Sequence, residues 1–503
     1  MSRHSVRTAA VGIVERTIPE LESSTLMRRS HVTFLSSSLV VFALTLTGCG
    51  VGEATNSSDA GAATSSSAAT AAEAANAGSD TTTAGSALFA DGASHAVSIE
   101  WDKAAYASMI AAYEADGSKE WIKADITIDG TLVSGIGVRL KGNSTLRSLS
   151  GDGGGGPGGA AGTLSGISSD VPESLPLLID FDKYVDGQTY QGLTQLSLRP
   201  GSPVLNEALA LALTEASGQP TQRYAYTTYS VNGSATQTRL LVENPDENYA
   251  DSLLDHDGVL YKADAESSFT YQGDDLATYE EQFKQLNAKD TEDLQPIVDF
   301  LKWLSEASDE EFDAGLGDRV DVDSFARYAA TMNLLVNGDD MAGPGQNYYL
   351  WYDLETQKIS IVSWDLNLAM TGNATASPDD QVSIGGGGGM QGPAANDGGA
   401  APRGLAGPPT TEAGGGGLAG GGKGGNALKE RFLASAAFQP LYDKAYAALY
   451  EQLYASGAAM DLLEEIAATV PVSDGLSQEA LSEQTDKLRT FVQERTEALQ
   501  GQV

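Results

Sequence analysis

The chain has 503 residues and a formal net charge of −38, from 30 basic and 68 acidic side chains. Nucleic-acid binding by net electrostatics needs clustered Lys and Arg facing phosphates, so this balance excludes it. A single cysteine, Cys49, rules out an intramolecular disulfide and leaves no cysteine ligand or nucleophile for the folded part.

The length would allow roughly two to four domains, but three low-complexity tracts occupy much of it. One sizeable core with a helical appendage is the expectation. From Met27 a short basic stretch leads into the apolar run Leu39 to Leu46 and then Leu46-Thr47-Gly48-Cys49. The run is too short to span a membrane, so residues 1–48 read as a secretion signal with Met27 as the true start. Its last four residues resemble the bacterial lipoprotein processing box. Cys49 is therefore expected to be lipidated and to hold the protein extracytoplasmically on the bacterial cell membrane. Residues 49–90, rich in Ala, Ser, Thr and Gly, cannot bury enough apolar surface to fold and read as a disordered tether.

The main domain is expected over 91–384. His95 to Trp101 alternates like a strand, Lys103 to Ala115 has helical periodicity, and Trp121 to Asp129 places Ile122, Ala124, Ile126 and Ile128 on one face. Asp129-Gly130 signals a hairpin, and the return strand Ile136 to Lys141 puts Arg139 and Lys141 opposite its apolar face. The Gly-rich insertion 148–172 lacks the glycine spacing and strand-loop-helix setting of a phosphate-cradling loop. Leu175 to Phe181 and Gly192 to Leu198 read as strands. Ser202 and Pro203 suit the start of a helix whose Leu205, Leu209 and Leu213 form a stripe ending before Gly218. Strands are expected at Tyr224 to Val231, Thr238 to Glu243 and Gly258 to Lys262, then helices between Leu276 and Leu304 and at Val322 to Val336. After the Gly, Ala and Pro tract 385–426, the region 427–503 has helical periodicity over Lys429 to Ser456, Met460 to Ala468 and Gln478 to Leu499. These helices are expected to pack back on the main domain.

The stretch from Asn337 to Asn367 is the most informative. Tyr348 to Asp353 and Lys358 to Trp364 read as a hairpin. If Asp353 pairs with Lys358, Asn347 falls opposite Trp364, roughly 5 Å away, with Asp365 just beyond. Asn347 and Asp365 then converge, and Asp339 lies in the feeding loop, where Gly338, Gly343 and Gly345 let the backbone turn back. An Asp, an Asn and a post-hairpin Asp supply what phosphoryl transfer needs: a group for the attacking hydroxyl and two oxygen ligands for magnesium. The same residues are also ordinary in loops.

Six ordered segments, GVRLKGNST at 137–145, LIDFDKYVDGQTYQGLTQLSLR at 178–199, LLVENPD at 240–246, GVLYK at 258–262, NGDDMAGPGQNYYLWYD at 337–353 and SWDLN at 363–367, resemble the spore coat protein H (CotH) kinase family. The resemblance implies an α+β, atypical protein-kinase-like fold with a C-terminal helical extension. It also implies that ATP and Mg2+ or Mn2+ are used to phosphorylate Ser or Thr of exported proteins. By position, Asp339 looks like the catalytic carboxylate, Asn347 and Asp365 like metal ligands, and Lys141 like the phosphate-contacting lysine. Glu207 could orient Lys141 as an ion pair, though a glutamate in a first helical turn also suits the dipole alone. Glu243 falls where a kinase hinge would meet adenine through its backbone, and its side chain reads as an edge carboxylate.

A second function class remains open, a non-catalytic surface module binding calcium through Asp339, Asp340 and Asp365. A hydrolase is a distant third, because His95 and His256 flank no Ser nucleophile elbow.

Overall fold

A computed structural model describes residues 84–149, 166–253, 257–382 and 425–503. The expected signal, Cys49, most of the tether, His256, the middle of the 148–172 insertion and nearly all of the 385–426 tract lie outside the described residues. Among the described residues no helix is long and apolar enough to cross a membrane.

The N-terminal half is built on seven strands: β1 Ser94–Trp101, β2 Ile122–Ile128, β3 Thr131–Leu140, β4 Leu177–Asp180, β5 Gln195–Leu198, β6 Tyr224–Val231 and β7 Gln237–Glu243. They close into a barrel in the order β1-β2-β3-β4-β5-β7-β6. The period-two pattern works as expected, because Ile122, Ala124, Ile126 and Ile128 are buried together with Ile136, Val138 and Leu140. Local pattern does not announce the closure itself. A parallel pairing running from Ser94 opposite Tyr226 to Ile99 opposite Val231 seals the ring. Helix α1, Lys103–Asp116, is capped by Asp102 and adds Met109, Ile110 and Tyr113 to the same core.

A second sheet joins β8 Gly258–Ala263, β9 Phe283–Gln285, β10 Tyr348–Asp353 and β11 Ile359–Ser363 in the order β11-β10-β8-β9. Alternation gives it two faces. Val259, Tyr261, Tyr348, Leu350, Ile359 and Ile361 enter the large helical core, whereas Leu260, Tyr349, Trp351 and Val362 form a separate cluster with Trp364. The large core takes in α2 Leu205–Ala216, α3 Gln295–Glu306 and α4 Val322–Leu334. It also holds the C-terminal helices α5 Ala427–Ala434, α6 Gln439–Tyr450, α7 Ala458–Thr469 and α8 Gln478–Leu499. Arg495 of α8 is fully buried and is satisfied by carbonyl oxygens of Leu334, Asn333, Ala374 and Ala376. The last helix thus staples the end of α4 to the segment after β11.

The mixed α+β class agrees with the sequence reading, and several local expectations are corrected. Helix α2 starts at Leu205, after Val204 in a left-handed conformation, and the Ser202 hydroxyl caps nothing. Its first turn is held through Glu207 by an ion pair instead. The region expected to be helical from Leu276 to Leu304 contains strand β9, held to β8 by Leu286 N–H donating to Leu260 O at 2.8 Å. The helix expected from Lys429 to Ser456 breaks between Ala434 and Gln439, where Pro440 fits only a new first turn. Glu243 is no edge carboxylate, because β7 lies between β5 and β6 and its carboxylate takes the Arg223 guanidinium at 2.9 Å.

Candidate active site

Asp339 lies in the loop between α4 and β10, and its surroundings are built by the backbone around it. Its Oδ1 accepts the Gly345 N–H at 2.7 Å, and Asn347 Nδ2 donates to its Oδ2 at 3.0 Å and to its carbonyl at 3.1 Å. The glycines serve close approach rather than a left-handed turn. A Cβ on Gly343 would stand 2.4 Å from Asp339 Cα, and one on Gly345 would stand 2.6 Å from Asp339 Oδ2, while neither residue has a positive φ. Burial pushes the Asp339 carboxyl up to about 6; Asp365 and Asp340 add to the rise, and the Gly345 and Asn347 hydrogen bonds oppose it. A carboxylate poised there accepts a proton readily near neutral pH.

The hairpin register is the one that placed Asn347 opposite Trp364: Tyr348 faces Ser363, and the Asp353 N–H bonds Lys358 O at 3.0 Å. Asp365 follows Trp364 in a left-handed conformation, φ 55°, which an Asp tolerates better than most residues. Val336, Gln346 and Met370 are also left-handed. Such conformations are costly and cluster where surrounding structure holds them.

Asp365 and Glu207 share one guanidinium. Arg199, at the end of β5, meets Glu207 at 2.9 Å and also pairs with Asp365. Glu207 therefore pairs with Arg199 and not with Lys141. The planar fork of arginine can meet two carboxylates at once, whereas an ammonium is a point charge. Burial works against the charge on Arg199, but Asp365 and Glu207 outweigh it and raise its pKa. For Glu207, burial raises the pKa and Arg199 opposes it. Helix α2 also reaches the segment after Asp365, where Asn206 Nδ2 donates to Asn367 O at 2.7 Å and Ala369 O at 3.0 Å.

Lys141 extends from the end of β3 toward this group. Its ammonium lies 4.9 Å from the Trp364 ring centroid and donates to Asn244 Oδ1. Burial, with Lys262 and Arg199 nearby, holds its pKa well below the ordinary value, and Asp365 acts against that. Lys262, on β8, approaches the same ring at 5.6 Å. Burial lowers its pKa too, again with Asp365 opposing. Trp364 is therefore approached by a lysine from the barrel and a lysine from the second sheet.

The structure brings Asp339 and Asn347 into direct contact and sets Asp365 close enough to act electrostatically on both Asp339 and Lys141. Sequence reasoning missed Arg199, Lys262, Asn244 and Lys429. The first three stand inside the quoted segments, Arg199 and Lys262 as the last residues of LSLR and GVLYK and Asn244 within LLVENPD, and a period-two reading of GVLYK would have set Lys262 on the Trp364 face. Among the described residues no group of three or more His, Cys, Asp or Glu side chains is arranged to hold a metal. A divalent cation held by Asn347 and Asp365 would therefore complete its shell with water or ligand oxygens, which suits magnesium better than calcium. Asp340 is unsuited to a calcium cage, because its oxygens accept from Ala342 N–H at 2.8 Å and from Lys429.

A family model described as CotH kinase protein matches residues 138–499, which span β3 through α8. No curated protein matches the chain.

Proposed function

Because the chain belongs to the CotH kinase family, we propose that it is an atypical protein kinase moving the γ-phosphoryl group of ATP to Ser or Thr of exported proteins. The acceptor oxygen bonds to the γ-phosphorus, the bond to the β–γ bridging oxygen breaks, ADP leaves, and the hydroxyl proton passes to Asp339. The observation that carries the reading is the apposition around Trp364 and Asp365. Asp365 acts electrostatically on the buried, proton-ready carboxylate of Asp339 and on Lys141 and Lys262, two lysines that approach the Trp364 ring and form no ion pair among the described residues. Two ammoniums drawn out of water beside an aspartate suit the oxygens of a triphosphate.

Within this reading Asn347 and Asp365 hold the divalent cation, and Arg199 fixes Asp365 while Glu207 fixes Arg199. When bound, magnesium or manganese supplies charge neutralisation on the phosphate oxygens. Asp339 orients the acceptor and takes its proton. Lys141 and Lys262 hold phosphates, with Asn244 and the Trp364 ring steering the first of them. We further propose that Cys49 carries lipid and tethers the domain outside the cell membrane, beside exported acceptors.

Transfer from radiolabelled ATP to a Ser-rich exported protein, with and without chelator, tests the enzyme on the 90–503 fragment. Metal-dependent labelling that disappears in Asp339→Ala is expected. Tight calcium binding with no affinity for nucleotide would instead support the surface module. For the anchor, unchanged membrane association of Cys49→Ser would refute lipidation.

A further inference from the structure

The chain leaves α4 toward Asp339 through a helix end closed on an unusual residue. The Val336 N–H donates to Asn333 O and the Asn337 N–H to Met332 O, each at 2.9 Å, the pair of bonds that ends a helix on a residue in the left-handed conformation. Val336 is that residue, with φ 49°. Glycine is usual there, and a side chain branched at Cβ is strained at positive φ. Such strain persists only where surrounding structure imposes it, and Asp339 follows in the same loop.

Part of that surrounding comes from the segment after Asp365. Met370 N–H donates to Leu335 O at 2.8 Å, and Gly372 packs so closely that a Cβ on it would stand 2.8 Å from Val336 Cγ1. The rest comes from α8. Arg495 Nη2 donates to Asn333 O at 2.9 Å and Nε to Leu334 O at 3.2 Å, while Nη1 donates to Ala374 O at 3.2 Å and to Ala376 O. The first two carbonyls stand in the last turn of α4, the negative end of its dipole, and the other two follow Gly372. One guanidinium therefore holds both sides of the contact between Val336 and Gly372. Arg495 is fully buried and forms no ion pair among the described residues, and its other partners are the neutral oxygens Asn333 Oδ1 and Tyr446 OH. Keeping an unpaired charge out of water is costly, and an apolar side chain would pack α8 without that cost. What the planar fork adds is a set of donors that reaches two segments at once.

Asp365 has supports of its own, in the Arg199 ion pair and in the Asn206 hydrogen bonds to Asn367 O and Ala369 O. The hold of Arg495 therefore bears chiefly on the loop that Val336 begins. We infer that Arg495 is a positioning residue for the candidate base: from the last helix it keeps Val336 left-handed, and so sets where the loop presents Asp339 to the acceptor hydroxyl. This rests on the kinase reading. Glycine takes the left-handed conformation without strain, so Val336→Gly should make the guanidinium dispensable for the position of the loop, although not for the stability that its hydrogen bonds contribute.

The test compares the parent full chain with Arg495→Met, Val336→Gly and the double variant, below the onset of unfolding and per folded molecule. Arg495→Lys, which keeps an ammonium in the same space, takes the place of Arg495→Met if that variant does not fold. Two quantities are read: kcat and KM for magnesium–ATP in transfer to a Ser-rich exported protein, and hydrogen exchange of the Gly345 amide, which donates to Asp339 Oδ1 at 2.7 Å. Arg495→Met should lower kcat by on the order of 10² with little change in KM, as a misplacement of about 1 Å does. Its Gly345 amide should exchange about tenfold faster. Adding Val336→Gly should return most of the kcat and of the Gly345 protection, while the melting temperature stays low. A lower melting temperature with unchanged kcat would mark Arg495 as structural only and overturn the inference. So would a double variant whose loss in kcat is the product of the two single losses, because the two residues would then act independently. A rise in KM that matches the fall in kcat would place the effect on the nucleotide and overturn it as well. The expected exchange pattern in a chain that transfers no phosphoryl group counts against the kinase reading alone, whereas normal transfer with parent-like Gly345 exchange in Arg495→Met counts against the positioning role alone.

Discussion

Lys429 of α5 reaches across to Asp340, the buried neighbour of Asp339, and the two form an ion pair. The same segment binds the loop a second time, through the Gly425 N–H donating to Ala342 O at 2.8 Å. The helical region that follows the 385–426 tract is thus joined to the loop that carries the candidate base. A carboxylate as buried as Asp340 needs such a partner, since an unpaired charge there would be costly to hold out of water.

Lys429→Met is accordingly expected to destabilise the protein by about 3–5 kcal/mol, because it strands the Asp340 charge. The double variant Lys429→Met/Asp340→Asn should recover part of that loss. Urea unfolding of the three proteins checks this, and a double variant no more stable than Lys429→Met would refute the burial argument.

What the sequence disclosed and what it withheld divide along physical lines. Strand faces in β2 and β3, the β10–β11 register and the last helix depend on local periodicity, and the pattern alone was enough to find them. Closure of the barrel depends on β1 pairing with β6 across about 130 residues of sequence, which no local pattern encodes. At the site, the register that sets Asn347 opposite Trp364 was legible because Tyr348 to Ser363 form one hairpin, and the loop feeding it brings Asp339 to Asn347. The partner of Glu207 could not be chosen correctly, because Arg199 and Lys141 both end strands near α2 and only the tertiary arrangement decides between them. Lys262 escaped notice for a similar reason, since its meaning lies in a tryptophan that follows the end of β11.

Gly345→Ala tests the tight packing around the candidate base. The added methyl would stand 2.6 Å from Asp339 Oδ2 and 2.8 Å from Asn347 Nδ2, so the carboxylate must move. Displacement of a reacting group by about 1 Å reduces rate by on the order of 10². Phosphoryl transfer should therefore fall far more than magnesium–ATP affinity. Equal losses in both would mean that the glycine supports nucleotide binding rather than the acceptor side.

Asp365→Asn separates metal holding from folding. Glu207 still satisfies Arg199 at 2.9 Å in this variant, so thermal unfolding should change little. Magnesium–ATP affinity should fall about tenfold or more, as losses around metal sites generally do. Calorimetry measures it, and unchanged affinity removes Asp365 from the ligand set.

Asp339 gives the protein a characteristic dependence on pH in the absence of metal. Its carboxyl titrates near 6 in the folded chain against an ordinary value of 3.8, so the native state holds this proton where the unfolded chain has released it. Stability from the group is fully present below about pH 4 and is lost as pH rises through 6, by about 3 kcal/mol in all. Asp339→Asn removes that slope without removing the side chain's volume. Chemical unfolding of both proteins in chelator at steps from pH 4 to 7 isolates the difference, because the other carboxylates are common to the two. The variant should gain on the parent as pH rises, with most of the change between pH 4.5 and 6.5. A difference that stays flat across the range would place the Asp339 titration in the ordinary carboxylate region and deprive it of the proton affinity that a general base at this position requires.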